Sequence, residues 1–239
     1  MSSDPTMLTN NGYDKALGYG FKVGYLGQLS DALQLGLSYQ SKIYLAEFDK
    51  YAGLFAGAGN FDIPATWTAG LGYIVNDWTF LFDVQEIYYS KVNSIGNHIA
   101  PQSLPPAFPD GSGEFIPNPN HVPLGESGAS GFGWDDMMIF KFGTEYKGIE
   151  RWTLRGGFSY GNQPVEETEV MFNILAPGVI QKHATIGFTT QLNEKHAINF
   201  AAMHGFSQTV TGPNSFEAPD QQTIELKMHQ WEFELGFSF

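Results

Sequence analysis

Cysteine is absent from all 239 residues, which excludes disulfides and thiolate metal sites. There is also no run of about 18 apolar residues, so no helix is expected to cross a membrane. Positive charge is scarce. Twelve Lys and Arg stand against 25 Asp and Glu, and a net charge of −13 argues against nucleic acid as a partner. Charged residues of both signs make up only 15% of the chain, against roughly 25% in ordinary soluble domains. The six histidines, at 98, 121, 183, 196, 204 and 229, form no HxxxH pair, and neither a metal nor a cofactor is expected. The first residues, MSSDPTMLTNNGYDK, lack the basic start and apolar stretch of a secretory signal.

What the chain has in abundance is glycine and aromatic rings. Glycine supplies 28 residues, and aromatics reach 15%, led by 20 Phe and 11 Tyr. The rings recur with period 2, the spacing of strands with two unlike faces. The final eight residues, EFELGFSF, set Phe233, Leu235, Phe237 and Phe239 on one side and Glu232, Glu234, Gly236 and Ser238 on the other. Chain ends are usually polar and frayed, so an apolar stripe that includes the last residue points to lipid. Eight further segments alternate in the same way, beginning near Leu17, Leu33, Thr66, Trp78, Met138, Arg151, Ala184 and Ile198. The fourth loses parity near Glu86, where a bulge is expected. The ninth reverses parity upstream (Ile224, Leu226, Met228), which predicts a bulge or the membrane boundary near His229–Gln230.

Tight turns at Ser30–Ala32, Asn76–Asp77, Lys147–Glu150 and Asn193–Lys195 alternate with long links near 46–64, 93–134, 163–182 and 211–222. Short turns on one side and long loops on the other are the layout of a transmembrane β-barrel. Trp67, Trp78, Trp152 and Tyr73 fall at strand ends, where interfacial rings belong. The reading is an all-β, antiparallel transmembrane barrel of about nine strands. It forms a single domain over 1–239, with the long loops outside the cell. A soluble β-sandwich or lipocalin-like barrel is the alternative. The polar face, mostly Gly, Ser, Thr and Gln, suits a lumen better than a solvated surface.

Few motifs carry chemistry. GFSYG at 157–161 has nucleophile-elbow spacing, but Ser159 lies mid-strand rather than at a strand-to-helix turn. Gly18/Gly20 and Gly57/Gly59 lack the third glycine of a dinucleotide site. Asp110, Glu114, Asp135 and Asp136 offer oxygens for a divalent cation, with solvated loop acids as the plainer reading. The 93–134 link, rich in Pro, Gly and Asn, reads as a surface loop without a core of its own. Two links are unexpectedly apolar, LFAGAGNF (54–61) and VMFNILAPGVI (170–180). Either they pack together to plug the barrel mouth, or they form a landing site for an apolar ligand.

These segments, with AEFDKYAGLFAGAGNFDIPATWTAGLGY, FDVQEIYYSKVNSIGN, WTLRGGFSYGNQPV, FAAMHGFS and TIELKMHQWEFELGFSF, resemble the FadL-type family of outer-membrane long-chain fatty acid and hydrocarbon transporters from about Gly12 to Phe239. The resemblance implies a monomeric fourteen-stranded barrel, plugged by an N-terminal hatch, that captures apolar ligands and passes them inward. Nine strands without a hatch read as a C-terminal portion, or as a start placed too late.

The resulting expectation is passive uptake of hydrophobic compounds, first among them long-chain fatty acids, with no catalysis. Leu54, Phe55, Phe61, Phe172, Ile174 and Leu175 would take the acyl chain, and Lys141 or Arg155 the carboxylate head. The same two cations equally serve to balance inward Asp83, Glu145, Glu232 and Glu234. Phe239 is expected to act as the signal read by the barrel-assembly machinery, with outer-membrane lipid around the wall. A structural or adhesive barrel and a lipid-cleaving enzyme are the other readings.

Overall fold

The computed structural model describes residues 1–214, 217 and 223–239. Nine strands form one antiparallel sheet in which every strand pairs with its neighbours along the chain. They are β1 (Lys22–Gln28), β2 (Leu33–Gln40), β3 (Thr66–Val75), β4 (Trp78–Ile87), β5 (Met137–Ile149), β6 (Trp152–Gly161), β7 (Lys182–Gln191), β8 (Ala197–Pro213) and β9 (Thr223–Ser238). Strands β3, β4, β6 and β7 each have 10 residues, the length of a tilted membrane strand. Strands β1 and β9 are the two edges of the sheet.

Register makes the two faces explicit, because residues directly opposite one another share a side. One row runs Leu35, Leu71, Phe82, Phe142, Phe158, Ala184, His204, Trp231 across eight strands. The next row toward the short turns runs Leu33, Tyr73, Phe80, Thr144, Gly156, Ile186, Ala202, Phe233. Phe142, Ile186 and Phe233 are 51, 67 and 67% exposed. A face this apolar and this open has no partner among the described residues, so hydrocarbon is its natural medium. At the turn end Trp78 packs on Tyr146 (4.5 Å) and Trp152 on Phe188 (5.1 Å). At the other end the Trp67 indole donates to Glu86 (2.7 Å) and Tyr88 (3.1 Å).

That last contact corrects one expectation. Strand β4 stays in register with β3 through Glu86 and Ile87, so no bulge falls there. Glu86 keeps the outward parity, and Trp67 satisfies its carboxylate at the rim. The third turn also sits later than expected, because β5 runs to Ile149 and the chain reverses at Glu150–Arg151, with Arg151 at φ 65°. The bulge near His229 is present. Phe206 and Ser207 of β8 oppose His229 alone, between the pairs Gly205↔Gln230 and Gln208↔Met228. The expected 211–222 loop lies largely outside the described residues, and β8 continues to Pro213.

The main buried cluster lies on the long-loop side, where the far ends of β8 and β9 meet the loops. Beyond the bulge, Val210 and Leu226 turn onto Val165, Val170 and Val179, with Trp134, Ile224 and Met228 packed around them. The 93–134 link therefore differs from the expected free surface loop. Ile95, Leu104 and Ala129 are buried, and the Asn97 and Asn118 side chains donate to the surrounding backbone carbonyls. Polar side chains thus supply the hydrogen bonds that irregular buried backbone needs.

Candidate functional site

Three loops meet over the sheet and enclose a small apolar pocket. The first supplies Leu54, Phe55 and Ala56, the second Ser94, Ser130, Gly131 and Phe132, and the third Phe172 and Leu175. Local geometry explains how each arrives. The LFAGAGNF stretch folds into one helical turn (Ala56–Gly59) in which Gly57 and Ala58 are left-handed, at φ 71° and 57°. This curl sets the Phe61 ring edge-on to Phe55, 4.9 Å away. The Ser94 hydroxyl holds the curl by donating to the carbonyls of Ala56 and Asn60.

Phe132 is delivered by Gly131-Phe132-Gly133. A Cβ on Gly131 would come within 2.6 Å of the Asn93 carbonyl. Gly133 takes φ 66°, which favours glycine, and a side chain there would collide with the Glu169 carboxylate. Asn173, fully buried, then locks the second loop to the third. It donates to the carbonyls of Phe132 (2.7 Å) and Glu169 (2.9 Å) and accepts from the Trp134 indole (2.6 Å).

The expected loop residues therefore converge. Leu54, Phe55, Phe172 and Leu175 share the pocket, and Phe61 joins through its rings with Phe55 and Phe132. Ile174 stands beside it, 57% exposed, next to Leu175 at 72%. The plug and the landing site are compatible here, since the loops pack together and still leave apolar surface open. Phe132 was not among the expected residues. Its signal was a ring set between two glycines in a loop rich in Pro, Gly and Asn.

Lys141 and Arg155 belong to a second, separate group. They lie with Asp83, Glu145, Ser159, His183 and Glu234 in a groove of about 580 Å³ along the polar face of the sheet. Arg155 donates to Glu145 (2.8 Å) and to Thr189 (2.8 Å), while Glu145 also pairs with Lys147 (2.7 Å). Lys141 donates to Gln85 (2.7 Å). Gly143, Gly157 and Gly187 leave this face uncluttered between the polar side chains.

Catalytic geometry is weak. Ser159 lies 3.5 Å from His183 on the adjacent strand, but among the described residues no carboxylate is hydrogen-bonded to that imidazole. The four loop acids do not come together. Asp110 closes its own turn on Ser112 and the Glu114 amide, and the Ser112 hydroxyl holds its carboxyl below the usual range. Asp136 accepts from the Ser90 amide. Among the described residues one group has the donor set of a metal site, namely His98, Glu166 and Glu169.

Comparison with known proteins agrees with this architecture. The family model described as outer membrane protein transport protein (OMPP1/FadL/TodX) matches residues 3–230. No protein of curated function matches the chain in sequence. The fold is similar to the P. putida toluene transporter TodX, with TM-score 0.56, 20% identity, and 93% of this chain on 48% of that one. It is similar also to a Pseudomonas aeruginosa FadL homologue, with TM-score 0.57, 17% identity, and 92% of this chain on 50% of that one. The chain thus spans about half the length of these two relatives, and at such identities the likeness is one of fold.

Proposed function

The chain belongs to the OMPP1/FadL/TodX family of outer membrane transport proteins, and we propose that it serves the passive uptake of hydrophobic compounds, with long-chain fatty acids as its first ligands. One observation carries this reading: Leu54, Phe55, Phe132, Phe172 and Leu175 converge on one apolar pocket from three loops. Burial contributes about 0.8 kcal/mol per CH₂, so even four methylenes held there amount to about 3 kcal/mol. The loops would face the outside of the cell, the apolar wall the lipid, and the chain would act as one domain of a monomeric barrel. Lys141 and Arg155 would meet the head group in the groove, and Phe239 would be read by the assembly machinery.

A specific observation favours a second reading, an uncharged aromatic hydrocarbon. Arg155 is held by Glu145 and Thr189 and Lys141 by Gln85, so a carboxylate must displace existing bonds. Among the described residues no Lys or Arg lines the loop pocket. The test is uptake of labelled oleate and labelled toluene by cells carrying Phe172→Asp with Leu175→Asp. Loss of oleate uptake supports the first reading, and loss of toluene uptake alone supports the second. Unchanged uptake of both refutes the landing site.

A further inference from the structure

We propose that His98, Glu166 and Glu169 bind a divalent cation of the zinc type, and that this ion ties the 88–136 loop to the 162–181 loop beside the apolar pocket. The ligand atoms of the three side chains lie within 4.8 Å of one another. His98 Nδ1 is 3.1 Å from Glu169 Oε1. Two ligands at zinc bond lengths of about 2.0–2.2 Å on a tetrahedral ion sit roughly 3.3 Å apart. That pair is hydrogen-bonded as it stands, so an ion would replace this contact at nearly the same spacing, with the exposed Glu166 carboxylate completing the set.

A second observation is independent of that spacing. The Glu169 side chain is 3% exposed, and among the described residues its ion-pair partner is His98, with no Lys or Arg in reach. Glu169 Oε2 takes the Ile99 amide (2.7 Å) and Oε1 the Thr168 hydroxyl (3.1 Å). Those are neutral donors, so among the described residues His98 is the one group beside this buried side chain that can join it on an ion. A cation held between the imidazole and the two carboxylates would place positive charge against it.

One nitrogen with carboxylate oxygens suits zinc and its neighbours among the transition metals, whereas calcium asks for six to eight oxygens. The consequence is mechanical. Glu169 immediately precedes the helical turn that carries Phe172, and Asn173 of that turn already holds Phe132 and Trp134. An ion on Glu169 and His98 would clamp the same two loops a second time. Zinc binding at this site is independent of what the protein transports and is read without ligand.

The full chain in detergent micelles, stripped with chelator, is titrated with ZnCl₂ at pH 7.5 by calorimetry. One saturable zinc per chain is expected, and CaCl₂ should give no such event. His98→Ala and Glu166→Gln alter exposed side chains and should each weaken zinc binding at least about tenfold, the scale of a lost ligand-shell interaction. His229→Ala, on exposed β9 surface, should leave binding unchanged. Absence of saturable binding overturns the proposal. So does binding that survives both His98→Ala and Glu166→Gln, or binding that His229→Ala removes.

Discussion

Thr185 and Ile186 are adjacent on β7, and an arginine placed at each in turn separates the two faces of the wall. Ile186 is 67% exposed on the apolar face, in the row with Phe80 and Phe233, near mid-height of the strands. Thr185 lines the groove on the other face, next to Gly157 and one strand from Gly143. Arginine in lipid near the midplane costs about 2–4 kcal/mol. Removing the isoleucine forfeits about 1.5–3 kcal/mol of apolar transfer. Ile186→Arg should therefore lose about 4–7 kcal/mol, which is most of a typical stability of about 5–15 kcal/mol. Thr185→Arg enters a glycine-lined space beside Glu234 and Glu145 and should cost under about 1 kcal/mol. The assay is the denaturant midpoint of each variant folded into phosphatidylcholine vesicles, followed by tryptophan fluorescence. Equal losses at the two positions would refute the assignment of the faces. A larger loss at Thr185 would favour a sheet whose glycine-rich side is the packed one.

Two further outcomes follow from the loop cap and the chain end. Asn173→Leu leaves the Trp134 indole and two carbonyls without their partners, each worth about 1–3 kcal/mol when buried. It should loosen the cap, seen as faster proteolysis of the loops with the strand signal in circular dichroism unchanged; equal loss of both would show that cap and wall are one cooperative unit. Deleting Phe239, which is 93% exposed beyond β9 and stacks near Phe237 at 6.2 Å, should lower the amount of protein reaching the membrane. Normal membrane levels of that variant would remove the assembly role.

The wall was legible in the sequence because its two faces meet different media. Alternation of Phe or Leu with Gly, Ser or Thr needs no long-range knowledge, and it yielded nine strands and the bulge opposite His229. The error at Glu86 has the same origin. Periodicity registers a carboxylate on an apolar face as a break, while the Trp67 indole that makes it tolerable comes from the neighbouring strand, 19 residues away. The cap was legible only in part. LFAGAGNF and VMFNILAPGVI stood out as apolar, yet nothing in their order says that Phe132 joins them. The contact between His98 and Glu169, 71 residues apart, was invisible, because it rests on how two irregular loops pack.

The bulge at Phe206–Ser207 is where these two regimes meet. Below it, β8 and β9 present Ala202, His204, Trp231 and Phe233 outward, as every other strand does. Strict alternation along β9 already sets Leu226 on the side of Glu232 and Glu234, whereas unbroken parity in β8 would send Val210 to the outside with Ala202 and His204. The one residue inserted in β8 brings Val210 to the inner side, directly opposite Leu226. Val210 and Leu226 become 8% and 5% exposed against the loop core. The reversal in the sequence at Leu226 therefore marks a change of partner from lipid to loop, within strands that continue unbroken. It also explains why the loops are held so firmly over the sheet. The 162–181 loop, which carries Phe172, rests on the extended hairpin of the wall itself, so the pocket is anchored to the scaffold and not merely to its neighbouring loops.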